Sequence, residues 1–244
     1  MQTHRFLLGL ALACFSFVSI FTTHAGPTDN IPQSLNVKGG FVVHLGCGDG
    51  TLTLTLRPNS RFQVHGLDAD PANVSKARAT VRKAGVYGPV SIDRLAGNRL
   101  PYIDGMVNLL VAENLGDVPM TEVTRVLAPK GVAYLKQDGE WKTTVKPRPK
   151  EIDDWTHYLH DAGGNAVAHD TVVGPPRHLQ WLGSPRWSRH HDRMASMSAL
   201  VSANGRVIYV MDEGSRVSIQ LPARWTLVAR DAFNGVILWK KPMK

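Results

Sequence analysis

The residues best suited to chemistry lie where an apolar run ends in a glycine-rich loop, VVHLGCGDG, at residues 42–50. Gly46, Gly48 and Gly50 alternate with other residues, and glycine lets a backbone approach a ligand where a Cβ atom would clash. A second apolar run, at residues 64–67, ends in Asp68. A carboxylate at such a strand end can accept hydrogen bonds from ribose hydroxyls. The pattern predicts a nucleoside pocket in an open parallel sheet.

These residues and two later segments resemble the class I S-adenosylmethionine-dependent methyltransferases. The G-x-G-x-G spacing differs from the dinucleotide fingerprint G-x-G-x-x-G. Residues 100–111 are similar to the family's segment that leads into its fourth strand, and residues 122–135 resemble its next helix, turn and fifth strand. The resemblance covers residues 39–136. It implies a Rossmann-like open parallel sheet with helices on both faces, and S-adenosylmethionine as cofactor.

The resemblance also implies which residues surround the cofactor. It places the glycine loop beside the cofactor, Asp68 at the ribose and Ala69 at the adenine, while Glu113 or Asn114 faces the methyl acceptor. The cofactor-binding residues expected in this way are His44, Gly46, Cys47, Gly48, Asp68, Ala69, Asp93 and Glu113. No residue is identified as a general base.

Three positions depart from the family pattern. His44 stands where the family usually carries an acid that helps to hold the methionine end of the cofactor. Ala96 falls near the place of an aspartate that reaches the adenine, and Asp93 lies close by. Asn108 replaces an aspartate of the fourth-strand segment. These departures leave a second hypothesis open, in which the pocket has lost its cofactor.

The first residues have the features of a secretory signal peptide. Arg5 precedes an apolar run at residues 6–21, and the small-residue sequence Thr23-His24-Ala25 offers a cleavage site. We therefore expect residues 1–25 to be removed and the protein to be exported to the periplasm or the cell exterior, with no membrane span after cleavage. An uncleaved N-terminal anchor is the alternative. Export would separate the protein from S-adenosylmethionine, which is made in the cytoplasm.

Composition excludes some classes of protein. The 244 residues include 43% hydrophobic and 20% charged residues, which is typical of an ordinary globular chain and not of a disordered one. The formal net charge of +8 is spread along the chain, so a solvated basic face is favoured over nucleic-acid binding.

Of the 2 cysteines, Cys47 would remain after cleavage, either as a small buried filler or as a loop residue whose backbone touches a ligand.

Apolar runs predict five strands and one clear helix in the first half. The strands are expected at residues 41–45, 62–67, 89–93, 107–111 and 132–135, and the helix at 71–84, where Pro71 suits the first turn. Residues 51–56 alternate with the period of a strand. We nevertheless expect a helix there, because two parallel strands need a crossover connection.

The second half has a different character. A proline- and charge-rich linker is expected at residues 137–154, and short β-like runs follow at 178–181, 199–201, 206–211 and 225–229. Residues 229–239, ARDAFNGVILW, resemble the blade motif A-x-D-x-x-T-G-x-x-x-W of pyrroloquinoline-quinone-type β-propellers. The resemblance implies that residues 155–244 form about one blade of an incomplete, all-β propeller. The chain would then be a fragment of a longer protein, and this half would be poorly packed or would lean on the α/β domain.

Several histidines and aspartates of the second half are of the types that bind zinc or iron. They are His157, His160, Asp161, His169, His190, His191 and Asp192. The interpretation adopted from the sequence is that they make hydrogen bonds and that no metal is bound, with a metal site as the alternative.

Three functions follow from these features. The first is a methyltransferase with an appended propeller segment and an unknown methyl acceptor. The second is an exported, non-catalytic module that joins a degenerate methyltransferase fold to a protein- or glycan-binding propeller. The third, a quinone-dependent oxidoreductase, would need many more blades and a calcium site that the sequence does not reveal.

Overall fold

Two sheets organise the part of the chain that the structure, a computed structural model, describes: residues 30–172, 174, 179–184, 189, 196–218 and 220–243. The predicted signal peptide, residues 1–25, lies outside this part. The first sheet contains β1 (Gly40–Leu45), β2 (Phe62–Asp68), β3 (Val90–Arg94), β4 (Val107–Ala112), β5 (Leu127–Gln137) and β6 (Glu140–Val145).

The order of the first sheet is β3-β2-β1-β4-β5-β6. The first five strands are parallel, as predicted, and β6 pairs with β5 in the antiparallel direction. The sheet is therefore mixed rather than purely parallel. The linker expected at residues 137–154 was wrong for residues 140–145, because Trp141 of β6 stacks on Tyr134 of β5 with ring centroids 4.6 Å apart.

Within the described residues, four helices accompany this sheet: α1 (Ile31–Ser34), α2 (Thr51–Thr55), α3 (Pro71–Lys83) and α4 (Met120–Val126). The predicted long helix is confirmed as α3. It begins where the Asp70 carboxylate accepts a hydrogen bond from the Ala72 N–H at 2.8 Å, with Pro71 in the first turn. The alternating segment at residues 51–56 also forms a helix, α2, because the crossover requirement outweighs its strand-like pattern.

Apolar side chains cover both faces of the first sheet. On one face, Val74, Ala77 and Val81 of α3 pack with Val42 and Val64 of the strands, all at most 5% exposed. On the other face, α4 and the loop at residues 95–106 form a second core. The expected Rossmann-like arrangement, with helices on both faces, is confirmed.

The second sheet is a four-stranded antiparallel meander in the order β10-β9-β8-β7. Its strands are β7 (Met197–Ala203), β8 (Arg206–Asp212), β9 (Trp225–Asp231) and β10 (Ile237–Pro242). Asn204 and Gly205, between β7 and β8, both have positive φ, as a type I′ hairpin turn of the sequence Asn-Gly requires. The strand expected at residues 178–181 is not formed at 179–181, and His178 lies outside the described residues.

The two sheets meet at the amino ends of the parallel strands. Asn108, near the start of β4, donates a hydrogen bond to Asp231 at 2.8 Å and accepts one from Asn234 at 2.6 Å. Lys130 donates to Asn204 at 2.6 Å in the same region. The second half therefore leans on the α/β domain, as one of the sequence-based alternatives proposed.

Candidate functional site

The site predicted from the glycine pattern lies where the strand order reverses. β1 stands between β2 and β4, so the connections after β1 and after β4 leave the sheet in opposite directions. In open α/β sheets, ligands bind in the crevice that this reversal opens at the carboxyl ends of the strands. The two loops do approach here: a Cβ atom added to Gly46 would lie 3.8 Å from the carbonyl oxygen of Asn114.

The three glycines of the loop have different roles. Gly46, Gly48 and Gly50 all have positive φ, at 73°, 54° and 83°. A Cβ atom on Gly48 would meet no atom within 4 Å, so open space lies above it, whereas a Cβ on Gly50 would lie 2.9 Å from the Cα of Ala77 in α3. Gly46 and Gly48 thus border the crevice, and Gly50 lets α3 pack closely.

Asp68, at the end of β2, is joined to the glycine loop. Its Oδ2 accepts a hydrogen bond from the Gly48 N–H at 2.9 Å, while Oδ1 accepts from the Asp70 N–H at 2.9 Å and from the Asn73 side chain at 3.3 Å. A carboxylate offers about four acceptor positions. Three are used inside the chain, so one remains to accept a hydrogen bond from a ribose hydroxyl.

His44 lies beneath the loop, in β1. It is 3% exposed, and its Nδ1 is 2.7 Å from the hydroxyl oxygen of the fully buried Thr53 in α2. Burial lowers the pKa of His44 to about 4, against the opposing influence of the Glu113 and Asp68 charges. The ring is therefore neutral at physiological pH, and it cannot replace the charge of the acid that the family usually carries at this position.

Cys47 is a packing residue of the loop. It is 3% exposed, and burial raises the pKa of its thiol to about 12. A Cβ atom added to Gly66 of β2 would lie 3.1 Å from the Cβ of Cys47, so the two residues are in close contact. The structure thus favours the small buried filler among the two interpretations of this cysteine.

The remaining predicted residues are less closely joined to this crevice. Asp93 forms an ion pair with Arg78 at 2.7 Å and lies within hydrogen-bond distance of the His65 ring at 3.3 Å, so its carboxylate is engaged at the outer edge of the sheet. Ala69 is exposed directly after Asp68. Glu113, exposed at the end of β4, lies 3.5 Å from Lys136.

Sequence reasoning missed two side chains that shape the site. Thr53 holds the His44 ring, and Asn73 donates to Asp68. Asn73 lies in the first turn of α3, and a side chain at that position can reach back to the end of the preceding strand. The spacing between Asp68 and Asn73 along the sequence could therefore have indicated this hydrogen bond. Thr53 became a partner of His44 only because residues 51–55 are helical.

Comparison with known proteins supports the assignment of the fold. Residues 42–131 match the sequence model of a family described as a methyltransferase domain. The chain is 26% identical over 119 residues to the ribosomal protein L11 methyltransferase of Anoxybacillus flavithermus, an alignment that covers 48% of this chain and 36% of that protein. The chain thus spans about a third of the length of this curated relative.

Solved structures of other proteins are similar to part of this chain. One is a protein of Methanococcus maripaludis described as a candidate S-adenosyl-L-methionine-dependent methyltransferase, with 21% identity and a TM-score of 0.41 over 44% of this chain and 52% of that one. Another is geranyl diphosphate C-methyltransferase of Streptomyces coelicolor, with 18% identity and a TM-score of 0.37 over 40% of this chain and 39% of that one.

The α/β half of this chain therefore has a fold like that of the S-adenosylmethionine-dependent methyltransferases, and S-adenosylmethionine is its candidate cofactor. The open space above Gly48 and the free acceptor position of Asp68 fit the nucleoside part of this cofactor. Among the described residues, no helix has the length and apolar character needed to cross a membrane.

Proposed function

We propose that the α/β domain binds S-adenosylmethionine at the carboxyl ends of β1, β2 and β4 and transfers its methyl group to an acceptor. The observation that carries the proposal is the hydrogen bond from the Gly48 N–H to Asp68, which places a carboxylate beside bare backbone at the reversal of strand order. When bound, the cofactor supplies an electrophilic methyl group on a sulfonium.

The residues of the chain would position the cofactor and the methyl acceptor, and they would not act as acids or bases. Asp68 would accept a hydrogen bond from the ribose, and the backbone at Gly46 and Gly48 would face the cofactor without steric conflict. Glu113 and Asn114, after β4, border the place where an acceptor would lie. Correct placement of two reactants can supply a large part of a rate enhancement, which suits a site with no evident general base.

Titration calorimetry with S-adenosylmethionine tests this proposal. The wild-type chain should bind with a micromolar Kd, and Asp68→Ala should lose at least tenfold in affinity. Asp49→Ala is the matched control, because Asp49 is an exposed acid of the same loop whose carboxylate accepts a hydrogen bond from the Thr51 N–H. No heat at millimolar ligand, or equal losses in the two variants, would contradict the proposal.

A specific observation favours a second candidate, the non-catalytic module with a degenerate pocket. The neutral, buried His44 stands where an acid is expected, and Asp68 already accepts three hydrogen bonds from the chain itself. In that case the chain would bind neither S-adenosylmethionine nor its demethylated product. The calorimetric experiment separates the two candidates directly.

We also propose that the second sheet is one blade of a propeller. Propeller blades are four-stranded sheets, and β7 to β10 form a four-stranded meander. Asp231 accepts hydrogen bonds from the N–H groups of Phe233 and Asn234, so it makes the turn that the blade motif implies. Coding sequence beyond Lys244 with further copies of the motif would support the proposal.

Export directed by residues 1–25 stays a prediction, and N-terminal sequencing of the mature protein tests it.

A further inference from the structure

Three potential metal ligands converge in the segment between β6 and β7. They are Asp153, His160 and His169, and their donor atoms lie within 4.8 Å of one another. The Asp153 Oδ2 atom is 2.7 Å from the His160 Nε2 atom and 3.9 Å from the His169 Nδ1 atom. This cluster is separate from the crevice at Gly48 and Asp68.

His160 is held firmly in this cluster. It is 3% exposed, whereas the neighbouring His157, Tyr158 and Leu159 are exposed. Its φ of 71° lies in the left-handed region, which is unfavourable for a non-glycine residue and is often found at functional sites. Its carbonyl oxygen accepts hydrogen bonds from the Thr156 and His157 N–H groups at 2.8 and 3.0 Å.

The second nitrogen of the His160 ring faces another acid. His160 Nδ1 lies 3.5 Å from Asp161 Oδ2. Histidines that bind metals usually direct their other N–H group to a carboxylate or a carbonyl, which sets the tautomer and the ring orientation. With an ion bound, the ring proton would lie on Nδ1 toward Asp161, and the lone pair of Nε2 would bind the ion in place of the hydrogen bond to Asp153.

Hydrogen bonding alone accounts for only part of this arrangement. Asp153 accepts hydrogen bonds from the N–H groups of Asp154 at 2.7 Å and His169 at 2.8 Å, and its pKa is lowered to about 2, first by the His169 N–H and then by the His160 ring. The side chain of His169 is 75% exposed, and its Nδ1 is too far from Asp153 for a hydrogen bond. The ring meets the His160 ring edge to face, with centroids 5.1 Å apart, and this contact keeps its Nδ1 atom near Asp153 and within reach of a shared ion.

We propose that Asp153, His160 and His169 bind a divalent first-row transition-metal ion such as Zn²⁺. Two imidazoles and one carboxylate are ligands that Zn²⁺ and Fe²⁺ accept. The carboxylates of Asp153 and Asp161 offset the charge of the ion. Because His169 is exposed, one coordination position faces solvent, as in metal sites that hold a water molecule or a substrate.

Binding requires a small movement. Zn–N and Zn–O bonds of about 2.0–2.1 Å in tetrahedral geometry separate the ligand atoms by about 3.3 Å. The His160 ring and the Asp153 carboxylate, now 2.7 Å apart, would move apart by about half an ångström. His157 would not take part, because its exposed ring lies next to the Thr156 hydroxyl, with Nδ1 2.8 Å from Oγ1.

Calorimetric titration of the chelator-treated full chain with Zn²⁺ tests the site. We expect one ion per chain with a micromolar or lower Kd. His169→Ala should weaken binding at least tenfold, and since this side chain is exposed the variant should keep the wild-type thermal transition. Asp153→Asn should also weaken binding, whereas the matched control His157→Ala should retain the wild-type affinity.

Cobalt provides a second measurement, because Co²⁺ bound by nitrogen and oxygen ligands gives visible absorption bands that His169→Ala should alter. Three results would overturn the proposal: no binding at 1 mM Zn²⁺, unchanged affinity in His169→Ala, or equal losses in His169→Ala and His157→Ala. The replacement of the buried His160 is not decisive, because loss of binding there would also follow from unfolding.

Discussion

The side-chain amide of Asn108 donates a hydrogen bond to the buried carboxylate of Asp231 at 2.8 Å, across the junction between the two sheets. The Oδ1 atom of Asn108 at the same time accepts hydrogen bonds from the Phe41 N–H at 2.7 Å and from the Asn234 side chain at 2.6 Å. An amide provides both the donor and the acceptor that this position needs. The aspartate expected from the methyltransferase pattern would instead place two carboxylates in contact.

Asn108→Asp should therefore destabilise the chain. Burial already raises the pKa of Asp231, so a second carboxylate within hydrogen-bond distance should cost about 1–3 kcal/mol of the free energy of unfolding. Urea unfolding at pH 7 measures this loss. Asp231→Asn added to Asn108→Asp exchanges the donor and the acceptor, so the double variant should recover most of the loss. A double variant that is no more stable than the single one would show that the contact does not support the junction.

His44 should make stability depend on pH. Its pKa is about 6.5 in the unfolded chain and about 4 in the folded one because the ring is buried. Between these two pKa values, the His44 ring is protonated in the unfolded chain but not in the folded one. The free energy of unfolding should therefore be constant above pH 7 and fall as the pH decreases from 6.5 toward 4. The slope contributed by this group is at most about 1.4 kcal/mol per pH unit.

Unfolding free energies of the wild type and His44→Gln between pH 4 and pH 8 measure this contribution. The glutamine side chain can still form a hydrogen bond with Thr53, but it does not titrate. The difference between the two proteins should shrink as the pH falls. A difference that is constant over this range would contradict the assignment of the pH dependence to His44.

Two glycines of the same loop should respond differently to alanine. Gly50→Ala places a Cβ atom 2.9 Å from the backbone of Ala77, so it should displace α3 and lower the free energy of unfolding by several kcal/mol. A Cβ atom at Gly48 has free space, so Gly48→Ala should cost only the strain of its positive φ, about 1–2 kcal/mol. Thermal unfolding compares them. If S-adenosylmethionine binds as proposed, Gly48→Ala should nevertheless weaken its binding. A Gly48→Ala variant less stable than Gly50→Ala would contradict this division of roles.

The neutral His44 should also affect which part of the cofactor is recognised. Without the expected acid, the ammonium group of the methionine moiety should contribute little to binding. The affinities of S-adenosylmethionine and 5′-methylthioadenosine should therefore differ by no more than about tenfold, or about 1.4 kcal/mol. Competition calorimetry measures the ratio, and His44→Asp should shift it toward S-adenosylmethionine. A wild-type preference for S-adenosylmethionine of a hundredfold or more would show that other residues hold the methionine end.

The parallel strands, α3 and the position of Asp68 could be predicted from the sequence because each rests on local rules. Apolar runs, a proline in a first turn and a glycine loop at a strand end have the same physical meaning wherever they occur. The helix at residues 51–55 followed from a connection requirement and not from its own pattern. In contrast, β6 was missed because its sequence, EWKTTV, contains no continuous apolar run, and only pairing with β5 makes it a strand.

The sequence could not show which departures from the family pattern matter for function and which matter for packing. Asn108 is explained by Asp231, which lies 123 positions later in the chain. The ring of His169 stands near Asp153 and His160 only because the segment between the sheets folds back on itself. Such relationships depend on the tertiary fold, so spacing along the chain did not reveal them.

The second sheet is attached at Asn108, which lies beside Gly40 at the start of β1, and the proposed pocket begins after Leu45, at the opposite end of β1. A strand of six residues is about 20 Å long. The central strand thus separates the contact with the second sheet, at one end, from the proposed pocket, at the other. If the pocket binds S-adenosylmethionine as proposed, the loops after β1, β2 and β4 would limit the size of the methyl acceptor, and the second sheet would lie too far away to do so.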